Sequence, residues 1–302
     1  MSIKVLVLGS KGQLGCCLSD QLTETDYEVV YTSRADFDIS ELSSLNKNIS
    51  LIRPNIVINA SAYTAVDMAE DDKEMAYLIN HRAVTELASV CKAHNTGLIH
   101  VSTDYVFDGT ATKPYSENHK TNPQGIYGES KLNGELAIKR SGCKYIIIRT
   151  AWVFSEHGNN FLKTMLRLGS DREELNIVGD QIGCPTYAQD LAKAIVTMLP
   201  SFSSKTATSG IFHYCGDNAC SWYEFAQAIF AEAKTFGLKT PSRINSIDTT
   251  KYPTRAMRPA YSVLACSKID KTFGISPSNW RDGIKSVLEK VHKETKFNAS
   301  GF

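Results

Sequence analysis

The sequence predicts an α/β protein in which a doubly wound parallel sheet is followed by a smaller mixed α/β C-terminal lobe. Three observations carry this. Short β-branched apolar runs alternate with longer segments of helical period through the first half. A glycine-rich turn follows the first run and opens the first helix. Beyond Arg149 the alternation breaks up, and the turn-formers Gly179, Gly183, Pro185, Pro241, Pro253 and Pro259 separate the remaining helices.

The predicted strands are Lys4 to Leu8, Glu28 to Thr32, Asn55 to Asn59, Leu98 to Ser102 and Tyr145 to Arg149. Near-continuous apolar runs of this kind suit strands covered on both faces. Between them the period predicts helices at Gln13 to Leu22, Glu41 to Ile52, Asp72 to His94 and Tyr127 to Lys139, each long enough for a crossover. Later helices are predicted near Tyr187 to Leu199, Trp222 to Phe236 and Asn279 to Lys290. A chain of 302 residues is long for one ordinary domain. Residues 1–150 are therefore assigned to a first domain and 151–302 mainly to a second lobe, with some segments returning to the first. No internal repeat is visible, and the tail from Val291 to Phe302 is polar enough to fray.

Lys and Arg number 33 against 32 Asp and Glu, so a net charge of +1 supplies no broad basic field for nucleic acid or a membrane surface. Any anion must be held by local groups. No apolar run approaches the roughly 20 residues that cross a bilayer, and the N-terminus has no separate apolar region with a cleavage site. A cytoplasmic location is expected. The eight cysteines are scattered without paired metal-ligand spacing and read as reduced core residues.

The run Gly9-Ser10-Lys11-Gly12-Gln13-Leu14-Gly15 sits where glycines let a pyrophosphate approach backbone N–H groups at a helix N-terminus. Its spacing is Gly-x-x-Gly-x-x-Gly, so it is also compatible with a plain tight turn. An acid that would hold a ribose 2′-hydroxyl is absent from the end of the second strand, which reads Tyr31-Thr32-Ser33-Arg34. Ser33 and Arg34 favour the 2′-phosphate of NADPH, with NADH kept as an alternative and a plain solvated role for Arg34 beside both.

Tyr127 and Lys131 stand four residues apart on a predicted helix and share one face. An ammonium beside a phenol favours the phenolate and makes Tyr127 a general acid. Thr103, at the end of the fourth strand, can hydrogen-bond a substrate oxygen at the carboxyl edge of the sheet. Singly, such residues are common as caps or by chance on helices. Their order along the chain is what points to a reductase.

These residues resemble the extended short-chain dehydrogenases/reductases, a Rossmann-type group, and within it the dTDP-4-dehydrorhamnose reductase family. The resemblance runs through Asn59-Ala60-Ser61-Ala62-Tyr63-Thr64-Ala65-Val66-Asp67, Ser102-Thr103-Asp104-Tyr105-Val106-Phe107-Asp108-Gly109 and Tyr127-Gly128-Glu129-Ser130-Lys131. It continues in Arg149-Thr150-Ala151-Trp152, Asp180-Gln181-Ile182-Gly183-Cys184-Pro185-Thr186 and Arg258-Pro259-Ala260-Tyr261-Ser262. It implies a catalytic triad of Thr103, Tyr127 and Lys131, with Lys131 also on the nicotinamide ribose. Dinucleotide contacts are implied at Gly9, Gly12, Gln13, Leu14, Gly15, Asp38, Ile39, Ala60, Ala62 and Tyr63. Sugar-nucleotide contacts are implied at Val66, Asp104, Tyr105, Trp152, Gln181 and Arg258. The implied reaction is NADPH-dependent reduction of a dTDP-linked 4-keto-6-deoxy sugar, in supply of a cell-surface polysaccharide. Another nucleotide-linked 4-ketohexose, or a non-catalytic NADP-binding regulatory subunit, stands as the alternative.

Some members of that family are dimers bridged by Mg²⁺ through acidic side chains. Here Cys17 stands at one of those positions and Tyr187-Ala188-Gln189-Asp190-Leu191-Ala192-Lys193 spans the other region. A thiol does not replace a hard oxygen ligand. No metal is predicted, and a homodimer stays open. Trp152 suits inter-lobe packing as well as substrate contact. His81, His94 and His100 read as core or surface histidines. Asp67, Glu70, Asp71, Asp72 and Glu74 read as acids favoured at a helix N-terminus.

Overall fold

The first five strands of the central sheet fall where the alternation predicts them. The computed structural model describes residues 2–202 and 208–299. The first half contains β1 (Lys4–Leu8), α1 (Gln13–Thr23), β2 (Glu28–Thr32), α2 (Leu42–Ile52), β3 (Ile56–Asn59), α3 (Val66–Ala69), α4 (Lys73–Tyr77), α5 (Ala83–Ala93), β4 (Gly97–Thr103), α6 (Ile126–Ser141) and β5 (Tyr145–Thr150). The second half adds β6 (Val153–Phe154), α7 (Phe161–Asp171), β7 (Glu174–Val178), β8 (Ile182–Gly183), β9 (Thr186–Tyr187), α8 (Ala188–Met198), β10 (Gly210–His213), β11 (Cys220–Ser221), α9 (Trp222–Thr235), β12 (Arg243–Ile247), α10 (Ser267–Phe273) and α11 (Trp280–Ala299).

Six strands pair in parallel in the order β10-β5-β4-β3-β1-β2. The strand order reverses between β1 and β3, so the crevice beyond their carboxyl ends is the natural ligand position of a doubly wound sheet. Successive residues feed opposite layers, as the period of 2 requires. Val5, Val7, Ile56, Ile58, Ile146 and Ile148 pack against Leu14 and Leu18 of α1 and Leu191 and Ile195 of α8. Leu6, Leu8, Val57 and Ile147 face Leu45 and Ile49 of α2, Val84 and Leu87 of α5, and Ile138 of α6. A separate core joins α7, α9 and α11 through Leu162, Phe225, Ile229, Trp280 and Leu288.

Two segments of the second half complete the layers of the first. β10 pairs with β5 from Gly210↔Ile146 to His213↔Arg149, and α8 packs on α1. The remaining short pairs are β7 with β12, β6 with β9 and β8 with β11.

Within the segments the sequence reading described, three features depart from it. The helix expected from Asp72 to His94 is interrupted by a π turn over Leu78–Arg82. Its buried Asn80 accepts from Tyr63 N at 2.9 Å and donates to Tyr63 O at 3.1 Å and Ser130 Oγ at 3.1 Å, so the bulge fastens a loop to α6. The last helix continues to Ala299, past Val291 where its polar composition predicts fraying. Propagation from a turn already packed by Val287 and Leu288 costs little. The acids after Val66 serve different partners: Asp72 caps α4, Asp71 pairs with Arg255, Glu74 pairs with Arg82, and Glu70 Oε1 accepts from Ile126 N at 2.8 Å at the start of α6.

Candidate active site

A cleft of ≈ 900 Å³ opens at the carboxyl ends of the strands, and the glycine loop forms one wall. Gly9 N and Ser10 N each donate to Thr32 O at 3.0 Å, which bends the chain sharply out of β1. Gly9 has φ +81°, a left-handed value that favours glycine. A Cβ on Gly15 would lie 2.2 Å from Gly9 O, so only glycine lets α1 start this close to β1. The N-cap of α1 is Gly12, with no side-chain cap and no acid in the first turn. Those N–H groups suit a pyrophosphate. Gly9, Gly12, Gln13, Leu14, Ile39, Ala60 and Ala62 line the cleft, whereas Gly15 and Tyr63 are not in its wall. Gln13 Oε1 also accepts from Asn160 Nδ2 at 2.9 Å and Ser155 Oγ at 3.1 Å, tying the glycine loop to the second half.

Ser33, Arg34 and Asp38 line the same cleft, but the absence of an acid holds only for the strand itself. The following turn brings in two carboxylates. Ser33 donates to Asp36 Oδ2 through N at 2.9 Å and Oγ at 2.6 Å. Arg34 Nε lies 2.9 Å from Asp38 Oδ2, and Ser40 donates to the other oxygen. Burial works to raise the Asp38 carboxyl, yet Ser40 and Arg34 outweigh it and hold it below the ordinary range. Lys11, which the sequence reading left aside, lines this edge as a second cation.

Thr103, Tyr127 and Lys131 meet at the cleft floor. Thr103 ends β4, where its Oγ1 donates to Asp104 Oδ1 at 3.0 Å and accepts from Tyr105 N at 3.3 Å. Tyr127 lies in the first turn of α6, with the Tyr105 ring edge-on at 5.5 Å. Gly128 allows this approach, since a Cβ there would lie 2.2 Å from Tyr105 O. Lys131 is buried, donates to Val101 O at 2.6 Å and lies 3.3 Å from His100 Nε2.

The charge logic differs from the simple phenol–ammonium pair expected from spacing. Burial pushes the Tyr127 phenol up, and the Thr103 hydroxyl acts against that rise. Burial lowers Lys131 to about 8, with the Glu135 charge opposing. Lys131 therefore spends hydrogen bonds on β4, because a buried amine needs fixed partners. Glu135 is held by Arg149 at 2.9 and 2.6 Å and accepts from Ser102 Oγ at 2.5 Å.

On the opposite wall, Arg258 donates to Tyr105 Oη at 2.8 Å and to Asp67 Oδ2 at 2.5 Å. Val66, Asp104, Tyr105 and Trp152 also line the cleft. Burial raises the Asp104 carboxyl to about 6, against the hydrogen bond from Thr103. Thr150 Oγ1 also lines the cleft and is buried with no hydrogen-bond partner among the described residues. Trp152 has φ +49° and stacks on Trp222 with ring centroids 3.4 Å apart. Gln181 is not in the wall; its Oε1 accepts from Trp222 Nε1 at 3.2 Å and so sets the second tryptophan. Trp222, which opens α9, escaped the sequence reading because only the fold brings it to Trp152.

The model of the family described as the RmlD substrate binding domain matches residues 3–293. The dTDP-4-dehydrorhamnose reductase of Aggregatibacter actinomycetemcomitans is 42% identical over 287 residues, covering 94% of this chain and 98% of that relative. The chain belongs to the dTDP-4-dehydrorhamnose reductase family. Its membership makes it an NAD(P)-dependent oxidoreductase. A second member of this reductase group, from Bacillus anthracis str. Ames and solved in complex with NADP, superposes with a TM-score of 0.89 at 35% identity, covering 96% of this chain and 100% of that one. The spore coat polysaccharide biosynthesis protein SpsK of Bacillus subtilis (strain 168) is 40% identical, covering 95% of this chain and 97% of its own length.

In this dTDP-4-dehydrorhamnose reductase family chain, Cys17 is fully buried in α1, and Asp190 Oδ2 accepts from Ser278 Oγ at 2.6 Å. Among the described residues, one group of three, Asp20, Glu156 and His157, brings ligand atoms within 4.8 Å of one another. Glu156 Oε1 in that group already accepts from the Lys290 ammonium. No helix of the described residues is long and apolar enough to cross a membrane.

Proposed function

We propose that this chain reduces the C4 keto group of dTDP-4-dehydro-6-deoxy-L-mannose, also called dTDP-4-dehydro-L-rhamnose, to dTDP-L-rhamnose. NADPH would supply the hydride to C4, leaving NADP⁺. The observation that carries the reading is the convergence of Thr103, Tyr127 and Lys131 beside the uncapped N-terminus of α1 in one cleft. Tyr127 gives its phenolic proton to O4 as charge develops there, and Thr103 would turn its single hydroxyl proton from Asp104 to the same oxygen. Lys131 holds the nicotinamide ribose. Gly9, Gly12, Gln13, Leu14 and the backbone at Ala60 and Ala62 take the dinucleotide, with Arg34 and Lys11 at the 2′-phosphate. The relative that carries NADP supports this choice of cofactor.

Arg258 suits the sugar-nucleotide pyrophosphate, and Asp104 and Thr150 suit sugar hydroxyls. Trp152 and Trp222 form an aromatic wall against which a base or sugar ring can stack. The same proposal divides the chain into a cofactor domain, 1–150, and a mainly substrate-binding lobe, 151–302, acting in the cytoplasm without a metal. The test is loss of NADPH near-ultraviolet absorbance when purified protein meets the dTDP-4-keto sugar made in situ. Turnover of that sugar well above other nucleotide-linked 4-ketohexoses is the expected result. Faster turnover of another 4-ketohexose reassigns the substrate, and cofactor binding without turnover of any sugar leaves a regulatory subunit.

A further inference from the structure

Lys131 Nζ, His100 and Asn59 form a buried chain across β3, β4 and α6 that the proposed chemistry leaves unexplained. Asn59 and His100 are fully buried, and Lys131 is 1% exposed. Asn59 Oδ1 accepts from Ser61 N at 3.0 Å. A backbone N–H is always a donor, so this contact fixes which end of the amide is oxygen. Asn59 Nδ2 then faces His100 Nδ1 at 3.2 Å as a donor. The imidazole accepts at Nδ1 and carries its proton on Nε2. That Nε2–H points at Lys131 Nζ, 3.3 Å away.

Two donors facing one another make no hydrogen bond. The contact is satisfied when Lys131 is an amine, with one N–H to Val101 O at 2.6 Å and its lone pair toward His100. With Lys131 as an ammonium, either the His100 contact or the Asn59 contact is lost, and a lost contact is costly in a site this buried.

We propose that His100 is a positioning residue: locked by Asn59 as the Nε2–H tautomer, it donates to Lys131 Nζ and opposes the ammonium form of that side chain. The histidine remains neutral because burial and the neighbouring Lys131 both lower it well below its ordinary value. Glu135, one turn along α6, pulls the other way by favouring the ammonium, but Arg149 from β5 neutralises much of its charge. Tyr127, Tyr105 and Asp104 are further titratable groups that line this part of the cleft. From β3 only the neutral amide of Asn59 enters the chain of contacts. Lys131 thus loses its proton at a lower pH than burial and Glu135 alone would set, and His100 fixes where the reductase begins to fail in alkali.

This inference rests on the proposed role of Lys131 in holding the cofactor ribose, but its first test does not need turnover. Nitrogen-15 NMR of histidine-labelled full-length protein distinguishes the two tautomers directly. A protonated Nε2 and an accepting Nδ1 on His100 are expected, and a protonated Nδ1 overturns the proposal. The second test is NADPH affinity against pH for the wild type and His100→Leu. Removing the donor should move the alkaline limit upward by about half a unit to one unit, the size of one net hydrogen bond. A folded variant with lower affinity throughout but an unmoved limit would give His100 a packing role alone and overturn it. If His100→Leu does not fold, the tautomer measurement decides. If no keto sugar is turned over, the functional reading fails while both of these measurements stand.

Discussion

Asp67 and Arg258, 191 residues apart in sequence, meet at 2.5 Å on the wall of the cleft. Asp67 Oδ1 also accepts from Ala256 N at 3.1 Å, so one carboxylate orients both the guanidinium and the loop that carries it. The second donor arm of Arg258 reaches Tyr105, whose ring stands edge-on to Tyr127. The wall that carries Arg258 is thereby linked through Tyr105 to Tyr127.

Arg258→Ala should raise KM for the sugar nucleotide by about tenfold to a hundredfold, as for loss of a charge-assisted contact to phosphate, with a smaller change in kcat. Asp67→Ala should move KM in the same direction by loosening the loop. Steady-state kinetics at saturating NADPH checks both. An unchanged KM in Arg258→Ala would take this residue off the substrate.

Tyr127→Phe should lower kcat by about two to four orders of magnitude, the usual contribution of a general acid. NADPH affinity, read by fluorescence titration, should change little. The ring still packs against Tyr105, so the loss belongs to the hydroxyl. Near wild-type turnover would remove Tyr127 from the proton step.

Arg34→Ala should weaken NADPH more than NADH, because only NADPH carries a 2′-phosphate. Arg34 is 72% exposed and already paired with Asp38, so the expected loss is modest, roughly threefold to tenfold. Lys11→Ala combined with Arg34→Ala should widen the gap between the two cofactors. Equal losses for both cofactors in the double variant would place the 2′-phosphate elsewhere.

Asp104 carries a pH signature. Burial raises its carboxyl from 3.8 to about 6. For an acid raised in the folded state, the stabilising contribution is full below the unfolded pKa and is lost as pH rises through the folded one. Relative to Asp104→Asn, the wild type should lose about 3 kcal/mol of stability between about pH 4 and pH 6, measured by urea unfolding at each pH. If the carboxylate also accepts from a sugar hydroxyl, kcat/KM for the sugar should fall below about pH 6. That limb should vanish in Asp104→Asn.

Local pattern was enough where one property decides the structure. β1 and β2 match their predicted bounds because Lys4–Leu8 and Glu28–Thr32 are short runs between strong turn signals. Tyr127 and Lys131 share a face because four residues make about one turn. What stayed hidden depends on partners distant in sequence. The π turn exists because the Asn80 side chain finds Tyr63 and Ser130, and nothing in Leu78–Arg82 alone signals that. β10 is four residues long and is a strand because the β5 edge is open beside it. The helix over Phe161–Asp171 was not foreseen, although Asn160 caps it at Lys163 N. His100 looked like an ordinary core histidine because Asn59 and Lys131 lie 41 and 31 residues away. Asp71 and Asp67 looked like dipole partners because their cations, Arg255 and Arg258, come from the far end of the chain.

The late arrival of β10 bears on how the protein is made. A nascent chain that has reached only Thr150 has β5 at the margin of its sheet, with Ile146, Ile147 and Ile148 in that strand. So apolar an open edge is a template for pairing with other chains. It stays open until residues 210–213 have been synthesised and docked, and α8 likewise reaches α1 only after residue 188. The window of greatest aggregation risk therefore falls in the middle of translation, and a fragment cut after the fifth strand should be insoluble however complete its glycine loop and catalytic helix.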